Sequence, residues 1–335
     1  MPANLTPEYR AAEAAFRKAR DPGERLECLR EMLRVIPKHK GTDHLQGDIK
    51  RRIKELAEEI ERPQKGGARG GPPLVIRPEG AAQLALIGAP NAGKSTLHAR
   101  LTGSGAQAAP YPFTTRYPEP GMMLHEDVHF QLVDLPAASP EHPIPWLASA
   151  LQTADASLLV VDLEDPAGVE RVEAVHAVLR ERRVTLSDRW EPAATGGDED
   201  PFALRLPTLL LANKADRLAD ADAELRAFLE VAGLPYPALA VSAATGQGLG
   251  KLGPWLFARL DIARVYTKAP GRPPDRGRPF TLRRGQTVEH LARLVHKDLA
   301  RSLRYARVWA RSGFDGQQVG RDHPLADGDV VELHA

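Results

Sequence analysis

One stretch, residues 83–97 with the sequence QLALIGAPNAGKSTL, constrains the fold more than any other. The apolar run 84–87 is typical of a buried strand, and a helix is predicted to begin near Ser95. Between them lies G-x-x-x-x-G-K-S, a glycine-rich loop in the strand–loop–helix context that phosphate binding requires. The alternative is a glycine-rich turn without a ligand, which the full spacing disfavours. The sequence therefore predicts a phosphate-binding loop in an α/β fold.

Each residue type in this loop suits a nucleoside triphosphate. Successive backbone N–H groups cradle phosphate oxygens, and the N-terminus of the following helix adds partial positive charge. Lys94 is predicted to reach the β- and γ-phosphates, and Ser95 is predicted to ligate Mg²⁺. The phosphate-binding residues predicted from this stretch are Gly88, Asn91, Ala92, Gly93, Lys94, Ser95 and Thr96.

The composition narrows the class of protein. A chain of 335 residues with 42% hydrophobic and 27% charged residues is expected to form two or three globular domains. Its single cysteine, Cys28, excludes an internal disulfide framework and favours the reducing cytoplasm. No apolar run approaches the roughly 18–20 residues of a membrane span, and the N-terminus lacks a signal-peptide apolar region. We therefore expect a cytoplasmic protein without a membrane partner; the sequence does not predict an oligomeric state.

Two segments rich in proline and glycine divide the chain. They predict a helical segment 1–62, a linker 63–73, a central domain 74–268, a linker 269–277 and a C-terminal domain 278–335. In the central domain apolar runs alternate with helical patterns, which favours βαβ units and a doubly wound, mostly parallel sheet. The predicted strands of this domain are 84–87, 128–134, 157–162, 208–212 and 238–241.

The charge is distributed unevenly along the chain. Residues 1–71 hold 16 Lys+Arg against 12 Asp+Glu, and residues 272–335 hold 12 against 8, so the middle is acidic. A basic loop at 38–40 and a basic helix surface at 50–54 add to this pattern. Such ends favour contact with a polyanion, whereas an ordinary solvated surface is the alternative. Residues 187–206 have no periodicity and are expected to form an inserted surface loop.

Base recognition is predicted from N-K-A-D at 213–216, directly after an apolar strand. The carboxylate of Asp216 can accept from both N1–H and the N2 amino group of guanine, a match that adenine does not offer. Asn213 is expected to hold the base edge and its loop, and the Lys214 stem to cover the base. The S-A-A segment 242–244 is expected to bind guanine O6 through a backbone N–H. The base-binding residues predicted here are Asn213, Lys214, Asp216, Ser242, Ala243 and Ala244.

A metal site is predicted between the phosphate loop and the strand 128–134. That strand ends at Asp134, which is placed to bind Mg²⁺ directly or through water. Upstream, Y-P-F-T-T at 111–115 offers Thr115, with Thr114 in reserve, to contact the γ-phosphate and Mg²⁺; a plain proline-rich loop is the alternative. The metal ligands predicted here are Ser95, Thr115 and Asp134.

Two alanines follow this aspartate where other residues are usual. Ala137 occupies the glycine position of D-x-x-G, so the backbone N–H that meets a γ-phosphate stands beside a Cβ. Ala138 occupies the position of the water-positioning glutamine of Ras. Slow intrinsic hydrolysis is therefore expected. An alternative from another class is a guanine-nucleotide-gated binding module with little hydrolysis, which Ala137 favours; Asp216 disfavours an ATPase.

Taken in order, GAPNAGKST, YPFTT, VDLPA, NKAD and SAA resemble the Obg/DRG group of translation-factor-type GTPases in the TRAFAC class. The N-terminal helices, with IPKHKGT before a basic helix, resemble the segment preceding the GTPase domain of DRG-like proteins. The resemblance implies a P-loop NTPase fold, GTP hydrolysis, and GTP/GDP and Mg²⁺ as ligands. It also implies a switch that reports its nucleotide state to RNA or the ribosome.

Residues 278–335 resemble a TGS domain. Their pattern predicts one helix, capped by Thr287, packed on a small mixed sheet, which is a ubiquitin-like β-grasp. The resemblance implies RNA or ribosome contact for this domain, with a solvated basic face as the alternative. The candidate phosphate contacts are His296, Lys297, Arg301, Arg304 and Arg307.

The resemblance also gives Asn91 a second role. In some related GTPases an asparagine at this loop position coordinates K⁺, which replaces an arginine finger, and a hydrophobic residue stands at the glutamine position. K⁺ stimulation is therefore implied as a hypothesis. The residues predicted to act in catalysis are Lys94, Thr115 and Asn91.

Overall fold

The fold comes from a computed structural model that describes residues 5–19, 22–61, 74–104, 115–190, 202–309 and 316–335. The predicted linker 63–73, the segment 111–114 with its reserve ligand Thr114, and most of the predicted insertion 187–206 lie outside these residues. No helix among the described residues is both long enough and apolar enough to cross a membrane.

Helices form the N-terminal segment, and in the central domain they alternate with strands. Those of the N-terminal segment and the central domain are α1 Pro7–Lys18, α2 Pro22–Val35, α3 Asp43–Glu61, α4 Lys94–Thr102, α5 Leu147–Gln152, α6 Gly168–Glu181, α7 Ala221–Ala232 and α8 Leu252–Arg259. Those of the C-terminal domain are α9 Val288–Val295 and α10 Lys297–Ser302.

The strands form two sheets. The larger contains β1 Ala82–Gly88, β2 Glu119–His125, β3 Val128–Asp134, β4 Ala156–Asp162, β5 Val184–Ser187, β6 Leu204–Asn213 and β7 Ala238–Ala240. The smaller contains β8 Ile262–Thr267, β9 Asp275–Arg283, β10 Tyr305–Trp309, β11 Gln317–Val319 and β12 Asp329–His334.

The N-terminal helices pack on one another around fully buried Tyr9, Met32 and Ile49. The Thr6 side chain caps α1, accepting from the backbone N–H of Tyr9 at 3.2 Å. Thr42 precedes α3 at the position of an N-cap, but its side chain has other partners. Thr42 is buried at the end of a short 3-10 helix, and its hydroxyl donates to the carbonyl oxygen of Pro37 at 2.5 Å. A side chain bound to the preceding loop is not available as an N-cap.

The larger sheet has the order β2-β3-β1-β4-β6-β5, with β7 beside β6. Every pair is parallel except β2 with β3, which is antiparallel. Strand β1 is buried along its whole length because helices cover both faces of the sheet, which is why it appears in the sequence as a continuous apolar run. The predicted doubly wound, mostly parallel fold is confirmed.

Two strands of this sheet escaped sequence prediction. Strand β2 alternates around a single buried residue, Met123, and it begins among prolines. Strand β5 has four residues, too few for a clear period, and it includes Ser187. The expectation of a loop over 187–206 is therefore wrong at both ends, since Leu204 begins β6. Phe202 is also buried, with its ring 6.1 Å from that of Phe16 in the helical unit.

The smaller sheet has the order β11-β10-β12-β8-β9 and packs against α9. Thr287 takes part in a capping box at the start of α9, as predicted. Strand β8 falls within the predicted central domain 74–268 but pairs with β9 and β12, and β9 begins at Asp275 inside the predicted linker. The start of β9 was not predicted because residues 275–278 are charged or glycine. Such a composition indicates exposure to solvent and does not show which strands pair.

Ion pairs fasten this domain to the larger sheet. The guanidinium of Arg264 in β8 lies 2.6 Å from Glu126 in the β2–β3 turn and 2.9 Å from Asp327. Arg283 in β9 pairs with Asp155 at 3.0 Å, just before β4. The C-terminal domain is thus docked at the end of the sheet opposite the phosphate loop.

Candidate functional site

The phosphate loop follows β1 at the carboxyl edge of the parallel sheet, and α4 begins at Lys94. Two glycines in it are required by both backbone and space. Gly88 has φ +152°, and a Cβ there would lie 2.4 Å from the carbonyl oxygen of Val160. Gly93 has φ +89°, and its Cβ would lie 2.2 Å from Nδ2 of Asn213. The loop is therefore packed against both β4 and the end of β6.

Lys94 is buried inside this loop. Its Nζ donates to the carbonyl oxygens of Gly88 at 3.3 Å and Ala89 at 3.1 Å. Burial lowers the pKa of Lys94 to about 8, and the negative charge of Asp134 opposes that shift. The acceptors of this ammonium among the described residues are neutral carbonyl oxygens, so an anionic phosphate oxygen would be a better partner.

Three predicted metal ligands converge beside the loop. The hydroxyl of Ser95 donates to Oδ2 of Asp134 at 2.6 Å, and that of Thr115 donates to the same oxygen at 3.1 Å. The two hydroxyl oxygens are 3.0 Å apart. Asp134 is fully buried, and its Oδ1 has no hydrogen-bond partner among the described residues. Two hydroxyls around a buried, half-satisfied carboxylate form an oxygen donor set that fits Mg²⁺.

The segment after Asp134 stays close to β1. The backbone N–H of Leu135 donates to the carbonyl oxygen of Leu86 at 3.3 Å, and that of Ala138 donates to Gly88 at 3.2 Å. Ala137 and Ala138 are both buried. The carbonyl of Gly88 therefore accepts from both Lys94 and this segment, which links the phosphate loop to the chain that follows the metal ligand.

Asn213 joins the two ends of the site. Its Nδ2 donates to the carbonyl oxygen of Ala92 in the phosphate loop at 3.0 Å. Its Oδ1 accepts from the backbone N–H of Ala243 at 3.0 Å. Both ends of the amide are thus bound to backbone. Asn213 was expected to hold the base edge as well as its loop, and this geometry favours the second role.

The remaining base-binding residues surround Asn213. Asp216 is exposed on the 3-10 turn Ala215–Arg217 at the end of β6. Ser242 is fully buried, and its hydroxyl accepts from the backbone N–H of Thr245 at 3.0 Å, which shapes the turn that carries Ala243 and exposed Ala244. The carboxylate of Asp216 is therefore exposed to solvent, and the neighbouring turn 242–247 is held by hydrogen bonds.

The other predicted phosphate-binding residues lie in the same loop or in the first turn of α4. Asn91 has a left-handed backbone with φ +62°, Ala92 is buried, and Thr96 lies in the first turn of α4. One neighbour was missed by sequence reasoning: Asp162, which ends β4 and lies 2.5 Å from the Lys214 ammonium. The sequence marked Asp162 only as the aspartate that ends an apolar strand, in the same way that Asp134 ends β3.

Known proteins match this arrangement domain by domain. Residues 83–187 match a family described as "50S ribosome-binding GTPase", and residues 263–335 match the TGS domain. An uncharacterized GTP-binding protein of Methanocaldococcus jannaschii is 29% identical, over 92% of this chain and 92% of its own length. Developmentally-regulated G-protein 2 of Arabidopsis thaliana is 27% identical, over 92% of this chain and 90% of its own length.

Among solved structures, a GTP binding protein from Pyrococcus horikoshii OT3 is similar with 16% identity and a TM-score of 0.47, over 76% of this chain and 99% of that one. The order of motifs, the two matched domains and the relatives that share them along nearly the whole chain agree. The resemblance to the Obg/DRG group that the motifs indicated is confirmed in this form: the chain has a P-loop GTPase domain followed by a TGS domain, and the relatives that match it along nearly its whole length are GTP-binding proteins, developmentally-regulated G-proteins among them.

Proposed function

We propose that this chain hydrolyses GTP to GDP and phosphate at the site described above and that its nucleotide state governs binding to ribosomes or structured RNA. The observation that carries the hydrolytic part is the convergence of Ser95, Thr115 and Asp134 beside Lys94, where Oδ1 of Asp134 has no partner in the part of the chain that the structure describes. These are the groups that phosphoryl transfer needs around the β- and γ-phosphates.

The chain's own residues supply positioning and charge. Lys94 exchanges its carbonyl partners for phosphate oxygens and stabilises the negative charge that develops on them. The loop N–H groups hold the phosphates while water attacks the γ-phosphate in line, and Thr115 orders the segment before β2 around that group. Ser95, Thr115 and Asp134 would hold Mg²⁺, which would supply positive charge against the negative charge of the phosphates.

Single-turnover hydrolysis of radiolabelled GTP by the full chain tests this function. We expect phosphate release that requires Mg²⁺ and that stops when EDTA is added. ATP should compete poorly for the site, because Asp216 matches the donor edge of guanine. Competition by ATP as effective as that by GTP would overturn the assignment of the base.

Asn91 supports a dependence on K⁺. Its left-handed backbone places it at the turn of the phosphate loop, before the glycine that opens α4. Ala138 occupies the position of the water-positioning glutamine of Ras, so another group would have to stabilise the developing charge. We expect faster turnover in KCl than in NaCl at equal ionic strength, and equal rates reject this part of the proposal.

A second candidate function is a nucleotide-gated binding module with little hydrolysis. Ala137 is the specific observation that favours it, because its methyl group is buried beside the backbone that would meet a γ-phosphate. Single-turnover assays with and without ribosomes discriminate between the two functions, since no hydrolysis in either leaves the binding module. Ala137→Gly should raise the rate if the methyl group is the obstacle.

The ribosome or RNA partner is supported by charge at the two ends of the chain. Lys297, Arg301, Arg304 and Arg307 are exposed on the TGS domain, as are several basic residues of α3. The matched GTPase family is itself described as ribosome-binding. Sedimentation with ribosomal subunits tests the partner: we expect co-sedimentation with a non-hydrolysable GTP analogue to differ from that with GDP. A cytoplasmic location, which the lone cysteine favours, belongs to the same proposal.

A further inference from the structure

An acidic side chain outside the recognised motifs lies directly behind the base-reading loop. Asp162 ends β4, and in the parallel pairing of β4 with β6 it stands opposite Asn213. Its Oδ2 lies 2.5 Å from Nζ of Lys214. The Asp162 side chain is only 14% exposed and that of Lys214 30%, so this pair is much less solvated than an ordinary surface ion pair.

The carboxylate is fixed before any nucleotide arrives. Its Oδ1 accepts from the backbone N–H of Glu164 at 3.0 Å, which leaves Oδ2 for the ammonium. The next residue, Leu163, donates its N–H to the carbonyl oxygen of Asn213 at 3.3 Å. The loop after β4 is therefore bonded to the base-reading loop through backbone and side chain together.

Lys214 itself sits in an unusual backbone conformation. Its φ is +66°, in the left-handed region that a side chain with a Cβ rarely adopts. Asn213 before it is locked at both ends of its amide. With the backbone held in this way, the position of the ammonium decides where the four methylene groups lie.

We propose that Asp162 is a positioning residue for the base: it anchors the Lys214 ammonium so that the methylene stem lies across the face of guanine. This inference rests on the proposed binding of guanine nucleotides. Fixing a flexible lysine in advance removes an ordering cost from the binding step, so its loss speeds dissociation. Asp162 touches the lysine and not the base edge, so it sets how long the nucleotide stays and leaves base choice to Asp216.

Asp162→Asn tests the proposal in the full-length protein. The amide is isosteric and still offers an oxygen to Glu164, but it has no charge for Lys214. With a fluorescent GDP derivative as the probe, we expect dissociation to be about 10-fold faster. The affinity ratio of GDP to IDP, which lacks the N2 amino group, should stay at the wild-type value, whereas Asp216→Asn should collapse it.

A matched control lies in the same loop. Glu164 pairs with Arg217 at 2.9 Å, but this pair is far more exposed, at 33% and 60%. Glu164→Gln should therefore change the dissociation rate by less than about 2-fold. An equal effect of Glu164→Gln and Asp162→Asn would overturn the proposal, because a general softening of the loop would then explain both.

A double-mutant cycle shows whether Asp162 acts through Lys214. In a Lys214→Met background, adding Asp162→Asn should not speed GDP release further. A further acceleration in that background, or a wild-type rate for Asp162→Asn alone, overturns the proposal. If Asp162→Asn does not fold, Asp162→Ser takes its place in the same cycle. Wild-type protein that binds no GDP would instead overturn the proposed function.

Discussion

The two ends of the nucleotide site differ in how far they are satisfied without a ligand. At the base end, both halves of the Asn213 amide are hydrogen-bonded and Lys214 has its carboxylate. At the phosphate end, Lys94 is buried among carbonyl oxygens, and Oδ1 of Asp134 has no partner among the described residues. The hydrogen bonds and the ion pair at the base end are thus in place before a ligand binds. The buried charges of Lys94 and Asp134 at the phosphate end would gain partners of opposite charge when phosphate and Mg²⁺ bind.

This difference indicates which end of the site would supply affinity and which would supply catalysis. A preorganised loop selects its ligand at little ordering cost, because its groups already stand in place. Unsatisfied buried charge gives a large gain only when the complementary charge arrives, and that gain grows as charge develops in the transition state. We therefore expect changes at the phosphate end to act on hydrolysis and changes at the base end to act on affinity and residence time.

The largest effect should come from removing the buried ammonium. Lys94→Ala is expected to slow single-turnover GTP hydrolysis by about 10²–10³-fold, because a charge that stabilises the transition state is lost. Lys268→Ala is a matched control, since Lys268 is also largely buried but pairs with Glu332 at 3.2 Å in the TGS domain. Hydrolysis by Lys94→Ala at the wild-type rate would contradict the proposed role.

The second effect is a dependence of the free energy of unfolding on pH. Burial lowers the pKa of Lys94 to about 8, below the ordinary lysine value of 10.5. Between these values the unfolded chain binds the proton and the folded chain does not, so the nucleotide-free protein should become more stable as pH rises through this window, by up to about 3 kcal/mol. Lys94→Met should lack this contribution.

Chemical denaturation at several pH values, with the slope of wild type compared with that of Lys94→Met, measures this contribution, since the other titrating groups cancel in the difference. Saturating GDP and Mg²⁺ should reduce it, because a phosphate oxygen beside the ammonium raises its pKa again. Identical slopes for the two proteins would show that the free protein does not bury a charged lysine.

A third test couples the two ends. Gly93→Ala places a methyl group 2.2 Å from Nδ2 of Asn213 and should break the bond to Ala92. We expect GDP affinity to fall about 10-fold or more, in line with the loss of buried hydrogen bonds. Gly103→Ala is the control: its φ is +67°, but apart from its chain neighbours no atom of the described residues lies within 4 Å of the added methyl group.

Titration with the fluorescent GDP derivative and thermal melts of the free protein distinguish the two glycine variants. Gly103→Ala should show only the cost of a left-handed alanine, about 1 kcal/mol in stability, with GDP affinity kept. A similar loss of GDP affinity in both variants would mean that backbone strain, and not the contact with Asn213, sets the effect.

The smallest effect should come from an exposed bridge between the two ends. Arg100 on α4 donates to the carbonyl oxygen of Thr245, in the turn behind the base, at 3.2 Å. Because the contact is solvated, Arg100→Ala should weaken GDP binding by less than about 3-fold. Arg226→Ala, exposed on α7, is the control, and a 10-fold loss for Arg100→Ala alone would show that this bridge shares in the preorganisation.

Sequence reasoning predicted the elements whose signal is local. The strand–loop–helix around Gly93, the strand ending in Asp134 and the strand before Asn213 each combine an apolar run with residues of fixed chemistry. It missed β5 and the start of β9, where few residues or charged ones form strands because a neighbouring strand is present to pair with them. A strand that forms because of a pairing partner distant in the chain need not show an alternating pattern of apolar residues in its own sequence.

The sequence alone predicted the chemistry of the site: a lysine in a glycine-rich turn for phosphate, an aspartate at a strand end for a metal, and Asp216 for guanine. Two contacts are visible only in the tertiary structure: the hydrogen bond from Asn213 to Ala92, far away in the chain, and the ion pair between Asp162 and Lys214. The physical reason is that parallel strands bring their carboxyl ends to one edge whatever their separation in sequence, and residue types do not reveal which strands become neighbours.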